Sequence, residues 1–312
     1  MTNLTVINNL MTANNIDYLL VETTNEFLVE YNALEENSIY KLTNFSGSTG
    51  QLLITSDNKL FLFVDGRYHI QADEEVCHEI VTVEKLNSGE TFVEKILDKI
   101  PRDKTLGMFS KKVSQSKYER YSKERSVNLL ASDPLDSVIA KNTSNDIELN
   151  KELTGYTTND KLDLIKKSLK SDEILYVTDL DEVSYLFNKR NYSIQPYSSK
   201  IKSRAIVTTD DAILYDESNL KTLEEFLKST KKTVLVDKSS ISAYDYKLIN
   251  NVKELEKNLL KELKSRKTKE EIEHLKDAFN KTDIVVKNVR DYLLNNEVSE
   301  FDIANRLENK KI

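Results

Sequence analysis

Few side chains in this sequence are of the kinds that make or break bonds, so their spacing decides what they can be. Three histidines occur, His69, His78 and His274, with one cysteine, Cys77. His69 and His78 straddle Asp73-Glu74-Glu75, a donor set that a metal ion accepts only if the side chains converge. A helix followed by a turn scatters them, and the run reads as a solvated acidic face. His274 lies among Glu270, Glu271 and Glu273, where a surface ion-pair role is expected. Cys77 beside His78 has the elements of a thiol nucleophile but no orienting Asn or Asp pattern, so a half-buried structural cysteine is expected. The turn Ser46-Gly47-Ser48-Thr49-Gly50-Gln51 lacks the Lys-Ser/Thr ending of a phosphate loop and leads into a strand, which argues against nucleotide binding. There remains Asp65-Gly66-Arg67-Tyr68, an acid and a base two residues apart. Either it faces a substrate, or it clamps a hairpin to the Ser46–Gly50 turn; the clamp is the preferred reading.

The elements around these residues follow from pattern. Gln51–Thr55 and Leu60–Val64 are β-rich runs joined across Ser56-Asp57-Asn58-Lys59, a hairpin. Gly66 permits a sharp turn, and Asp65 is placed to cap a helix running through Ala72. Upstream, Leu4–Asn14 reads as helix, Tyr18–Val21 as a buried strand and Glu26–Leu34 as helix. Downstream come strands at Ile80–Val83, Leu106–Phe109 and Val127–Ala131, with helices at Thr91–Lys99, stopped by Pro101, and Gln115–Tyr121. Such alternation with an inserted antiparallel hairpin predicts an α/β domain with a mixed sheet. A polar, turn-rich connection spans Ser137–Asn159. The plan then repeats: helix Leu162–Leu169, strand Ile174–Thr178, helix Asp181–Asn188 capped by Asp179 or Asp181, hairpin Ala205–Thr208 with Ala212–Tyr215, helix Leu220–Leu227, strand Thr233–Val236 and helix Ala243–Ile249. Setting YLLVETTNEFL beside LYVTDLDEVSYLF, and QLLITSDNKLFLFVD beside AIVTTDDAILYDE, points to a duplication. Chance similarity between two α/β domains is the alternative.

Composition narrows the function classes. In 312 residues, apolar types make up 39% and charged types 31%, and the net charge is −7. No basic block stands out, which disfavours nucleic acid as partner. The longest apolar runs are too short to span a bilayer, and the N-terminus lacks a signal pattern, so a cytoplasmic protein is expected.

Phe45, Ser46, Gly47, Ser48 and Gly50, followed by a hairpin and then Asp65, Gly66, Arg67, Tyr68, Gln71 and Ala72, resemble the N-terminal domain of three-domain Xaa-Pro aminopeptidases. Asn44 stands where that family usually has glycine. Glu30-Tyr31 matches a further element, although Phe27 replaces its usual histidine. In the second half, Gly155, Lys161, Leu180, Asp181, Glu182, Leu186, Phe187, Asn188, Arg190, Ile194 and Pro196 answer to the family pattern, with Tyr185 at a tryptophan position and Asn191 replacing a glycine. Trp and Arg-Pro elements usual between the domains are absent near Val138–Thr143. From Lys264 onward, Thr268 with Glu271 forms a capping box and Ile272, Leu275 and Phe279 a stripe. Ile284, Val285, Val289, Tyr292 and Leu293 continue the helical spacing. This stretch resembles the first helices of the family's pita-bread catalytic domain.

The resemblance implies two tandem creatinase-like (ribonuclease H-like) α/β domains with mixed sheets flanked by helices, at residues 1–136 and 137–263. Residues 264–312 would then be the first helices of an incomplete pita-bread metallopeptidase domain. The family hydrolyses the bond between an N-terminal residue and a following proline, using two divalent metal ions, usually manganese. Such a pair deprotonates a bridging water and stabilises the oxyanion. No position here matches a metal-ligand motif, so no catalytic or metal residue is carried over and this chain alone is expected to be inactive and to bind no dinuclear metal. Entrance or structural-motif candidates are Ser46, Gly47, Ser48, Gly50, Asp65, Gly66, Arg67, Tyr68, Asp181, Asn188 and Arg190. The parent enzyme's partners would be proline-containing peptides, with a homodimer as a further candidate. The competing reading is a naturally short pseudoenzyme, a binding or regulatory module whose exposed Ile284, Val285, Val289 and Leu293 would need a partner such as a second copy.

Overall fold

The computed structural model describes residues 2–136, 145–193 and 198–309. The first half comprises α1 (Asn3–Ala13), β1 (Tyr18–Glu22), α2 (Ser38–Thr43), β2 (Gln51–Thr55), β3 (Leu60–Val64), α3 (His69–Glu75), β4 (Val81–Lys85), α4 (Phe92–Lys99), β5 (Thr105–Phe109), α5 (Gln115–Ser122) and β6 (Ser126–Leu130). Its strands form one mixed sheet in the order β4-β3-β2-β1-β5-β6. β1 pairs antiparallel with β2 and parallel with β5, so the predicted hairpin lies beside a parallel half. Central strands covered on both faces must be apolar throughout. β2 is accordingly buried at every position. One face carries Ile7, Met11, Leu19, Leu52 and Leu62, and the other carries Leu20, Leu53, Phe63, Ile96 and Tyr121.

The second half comprises β7 (Ile147–Glu148), α6 (Lys151–Thr154), α7 (Thr158–Lys166), β8 (Glu173–Val177), α8 (Leu180–Leu186), β9 (Lys189–Arg190), β10 (Arg204–Val207), β11 (Ala212–Tyr215), α9 (Leu220–Ser229), β12 (Thr233–Val236), α10 (Ala243–Leu248), β13 (Val252–Glu254) and α11 (Leu259–Ser265). Its main sheet runs β11-β10-β8-β12-β13. β8 takes the place of β1, again antiparallel to its hairpin strand and parallel to its other neighbour. The strand order and directions of the first sheet are thus repeated, except that among the described residues β4 has no counterpart and β11 is an edge. This is the architecture expected from the sequence, two mixed α/β sheets flanked by helices. Backbone bonds from Gln115 N to Ile241 O (2.9 Å) and from Ala243 N to Val113 O (2.9 Å) join the start of α5 to the start of α10.

The residues from 264 onward supply α12 (Lys269–Leu293) and α13 (Glu300–Asn309). The expected capping box opens α12, with Thr268 and Glu271 satisfying each other's backbone N–H. Phe279 and Ile284 are 65% and 61% exposed, whereas Val289, expected on the same open face, is buried.

One local expectation fails here. Glu26–Leu34 is not helical. Asn25 Oδ1 accepts from Phe27 N (3.0 Å), and Leu28 sits at φ +56°, so the chain turns instead of coiling. The helix lies later, at α2, where Asn37 accepts from Ile39 N and Tyr40 N. Ile194 and Pro196, and the 138–143 stretch, lie outside the described residues.

Candidate functional site

The glycine turn and the Asp65–Tyr68 turn meet on the surface of the first domain. Asn44 ends α2 at φ +67°, a conformation that glycine adopts freely and asparagine tolerates. Phe45 then drops into the core, wholly buried, with its ring edge-on to Tyr68 at 5.8 Å between centroids. A Cβ on Gly47 would lie 2.2 Å from Phe45 Cζ and 2.8 Å from Tyr68 Cδ1, so only glycine lets the backbone cross these rings. Gly50 is less confined, its nearest atom 3.1 Å away, and a Cβ on Gly66 would meet open space.

Polar contacts fasten the turn from two sides. Glu75 of α3 accepts from Ser46 N (2.7 Å) and Ser46 Oγ (2.6 Å), and Gln71 Nε2 donates to both Ser46 Oγ and Glu75. Ser48 Oγ lies 2.7 Å from the Tyr68 hydroxyl. On the outer side Glu30 Oε1 accepts from Ser48 Oγ (3.2 Å), Thr49 Oγ1 (3.0 Å) and Arg67 Nη1 (3.4 Å). Arg67 in turn forks onto Asp65 through Nε (3.1 Å) and Nη2 (2.9 Å). That fork holds the Asp65 carboxyl below the usual carboxylate range, and partial burial opposes the shift. Asp65 does not cap the following helix as expected. Its side chain accepts from Arg67 N, and α3 starts after Tyr68 without a side-chain cap. Arg67 reaches the glycine turn by way of Glu30 and of the Tyr68 ring, centred 5.1 Å from the guanidinium carbon.

Asp181, Asn188 and Arg190 take their partners within the second domain. Asp181 faces Lys200 (2.9 Å) and Lys264 (3.3 Å). Arg190 Nη1 donates to Ser184 O and Lys189 O, both at 2.8 Å. Asn188, at φ +52°, accepts from Lys161 Nζ (2.5 Å) and donates to Tyr156 O (2.9 Å). Lys161 is 1% exposed, donates also to Tyr185 O (2.6 Å), and lies 3.6 Å from the Tyr185 ring centre. Burial pushes its pKa down to about 8; Glu271 opposes the shift and Arg190 adds to it. Next to this cluster Gly155, at φ +69°, packs against Thr268, whose hydroxyl donates to Thr154 O (3.3 Å). The start of α12 is thereby tied to the second domain.

Glu182, beside Asp181 on α8, is also buried, and burial raises its pKa to about 7. Asn258 donates to it at 2.9 Å. The capping of α8 itself falls to Asp179, one of the two residues expected for it, which accepts from Asp181 N and Glu182 N.

A hydrolytic metal pair requires several carboxylates and imidazoles around one point. Among the described residues no group of three or more His, Cys, Asp and Glu side chains converges in that way. His78 Nε2 lies 2.9 Å from Asp73 O, and His274 projects from an exposed face of α12. Cys77 is exposed rather than half-buried, because Val76 takes the core position at the end of α3. These residues do not fit a dinuclear centre. Among them, too, no helix is long and apolar enough to cross a membrane.

Comparison with known proteins gives the same frame. A family model described as the creatinase/prolidase N-terminal domain matches residues 4–140, and a second model of that description matches residues 139–275. Curated relatives include Xaa-Pro aminopeptidase 1 of Dictyostelium discoideum, 27% identical over 80% of this chain and 46% of that protein. A probable Xaa-Pro aminopeptidase P of Pyricularia oryzae is 31% identical over 71% of this chain and 38% of that protein. The chain belongs to the Xaa-Pro aminopeptidase family, through two tandem creatinase-type N-terminal domains. A crystal structure of X-prolyl aminopeptidase from Caenorhabditis elegans, described as a cytosolic enzyme with a di-nuclear active site, shares the fold. Its TM-score is 0.80 at 17% identity, over 93% of this chain and 54% of that one. The chain spans less than half the length of the curated relatives it matches.

Several residues that organise this Xaa-Pro aminopeptidase-family surface were named from the sequence only as pattern matches or as part of an acidic run, without the roles they take. Glu75 and Gln71 are spaced i, i+4 on α3, a signal that they share a face. Glu30 was visible only as a motif match, and its role as acceptor for three donors depends on a loop that sequence reasoning misread. Lys161 carried no signal of burial, since a lysine is almost always solvated.

Proposed function

We propose that these residues form the non-catalytic N-terminal region of a metal-dependent Xaa-Pro aminopeptidase, shaping the approach of proline-containing peptides to a catalytic centre supplied elsewhere in the parent enzyme. The observation that carries this reading is the pairing of two creatinase-type domains with a likeness to the nematode enzyme that takes in nearly all of this chain but 54% of that one. The donor sets among the described residues add support, because none converges as the chemistry of a hydrolytic metal pair demands. So does α12, which presents Phe279, Ile284 and Leu293 to solvent like a helix whose covering elements lie in another part of the protein. Manganese is the metal we expect in that parent centre, and the cytoplasm its compartment.

The test is an assay of the purified 312-residue chain with an Xaa-Pro peptide, with and without added manganese, alongside equilibrium dialysis for bound metal. No hydrolysis above background and no stoichiometric binding are expected. Cleavage that rises with the binding of two ions per chain would overturn the proposal.

A further inference from the structure

The loop at residues 23–37, which leaves β1 and returns at α2, is gripped by both domains. At its base Glu36 is paired with Lys202 of the second domain at 2.5 Å, with side-chain exposures of 4% and 3%. Asn25 Nδ2 adds a bond to Glu36 Oε2 at 3.2 Å. Arg204, also from the second domain, donates to Glu26 O (3.0 Å) and lies 5.2 Å from the Phe27 ring centre. Arg204 is itself fixed from behind by Asp245 (3.5 Å), which accepts from the Tyr176 hydroxyl (2.8 Å). At its tip the loop offers Glu30 to Ser48, Thr49 and Arg67.

The loop is not the whole of what joins the domains. Backbone bonds between the starts of α5 and α10 form a second seam away from it, which Lys238 also bridges to Glu119 at 2.8 Å. A buried ion pair adds little net stability over an apolar one of equal volume, but it fixes direction and register. We propose that Lys202 and Arg204 are positioning residues that act through the 23–37 loop, so that the placement of the second domain sets that of the Glu30–Tyr31 tip and, with it, the Ser46–Gly50 turn and Arg67. A shift at the domain seam is then felt at an exposed surface of the first domain. This inference stands on the loop's contacts alone, whatever the parent enzyme hydrolyses.

The sequence has no tryptophan, so Tyr31→Trp places a single reporter at the tip. Time-resolved anisotropy of that full-length variant is compared with the same protein carrying Lys202→Met, Glu36→Gln or Lys238→Met. The first two are expected at least to double the amplitude of fast local depolarisation. Lys238→Met, which breaks a seam contact that does not touch the loop, is expected to leave it unchanged. Amide exchange in β1 and β8 verifies that both sheets remain folded. The proposal is overturned if Lys202→Met and Glu36→Gln leave the tip as rigid as before, or if Lys238→Met loosens it equally. Should Lys202→Met not fold, Glu36→Gln, which keeps the shape of the acid and one acceptor oxygen, decides the matter by the same readout.

Discussion

Replacing Lys161 by methionine isolates the energetic consequence of burying an ammonium group without a carboxylate against it. Its donors meet Tyr185 O and Asn188 Oδ1, both neutral acceptors, and burial lowers its pKa from 10.5 to about 8. The folded state therefore holds the proton less tightly than the unfolded chain. Between these two values the unfolded state binds more protons, so stability must rise with pH across that window. Below the window the lysine is charged in both states and the full burden of burial is present, about 3 kcal/mol. Integrated from about pH 7 to about pH 9.5, the wild-type chain gains about 2 kcal/mol from this group. Lys161→Met removes that gain. It also takes one donor from Asn188 Oδ1 and one from Tyr185 O, which keeps the Asn188 N–H at 3.3 Å, but that loss is constant with pH and does not enter the slope. Urea unfolding at both pH values measures the difference. With a slope of about 2 kcal/mol/M, the wild-type midpoint should move up by about 1 M more than that of the variant. Parallel pH dependences for the two proteins would refute the reasoning and show that the ammonium is solvated or paired in solution.

Three further outcomes follow from the same geometry. Glu182, with its pKa raised from 4.5 to about 7 by burial, holds its proton more tightly when folded, so stability should fall as pH rises through that interval; Glu182→Gln, which keeps the acceptor for Asn258, should flatten this decline, as urea midpoints across the interval would show. Gly47→Ala forces a methyl against Phe45 and Tyr68 and should cost about 1–3 kcal/mol by denaturant unfolding, whereas Gly66→Ala, which meets no neighbour, should cost distinctly less; equal costs would remove the steric argument. Arg67→Ala breaks a fork whose guanidinium side chain is 58% exposed, so its loss should cost under about 1 kcal/mol, and a measured loss much above that would show that the surface network is more strongly coupled than its solvation allows.

Much of the fold was legible because strands buried on both faces leave an unmistakable apolar run, as in Leu52-Leu53-Ile54 and Ile174-Leu175-Tyr176. The duplication was legible for the same reason, since β1 with β2 and β8 with β10 repeat a pattern that pairing preserves. The first-domain candidate patch was found as a group because its members lie close in sequence and share one hairpin. What could not be read was the loop after β1. Glu26–Leu34 reads as helix, but the groups that hold it otherwise come from far away. Lys202 lies 166 positions from Glu36, and Arg204 lies 178 from Glu26. Propensity yields to such contacts. The burial of Lys161 was invisible likewise, since its acceptors are a carbonyl and an amide oxygen that composition does not mark.

The missing counterpart of β4 has a consequence for how copies of this protein treat one another. β11 ends its sheet with one row of backbone donors and acceptors unclaimed by any neighbouring strand among the described residues. Such a row is a template for pairing with another chain unless something spoils it. Two copies pairing antiparallel across a dyad between Ile213 and Leu214 would set Asp211 against Asp216 and Asp210 against Glu217. Four like-charged contacts per dyad, two of each kind, make that encounter self-defeating, so the shorter sheet can stay open without seeding aggregates.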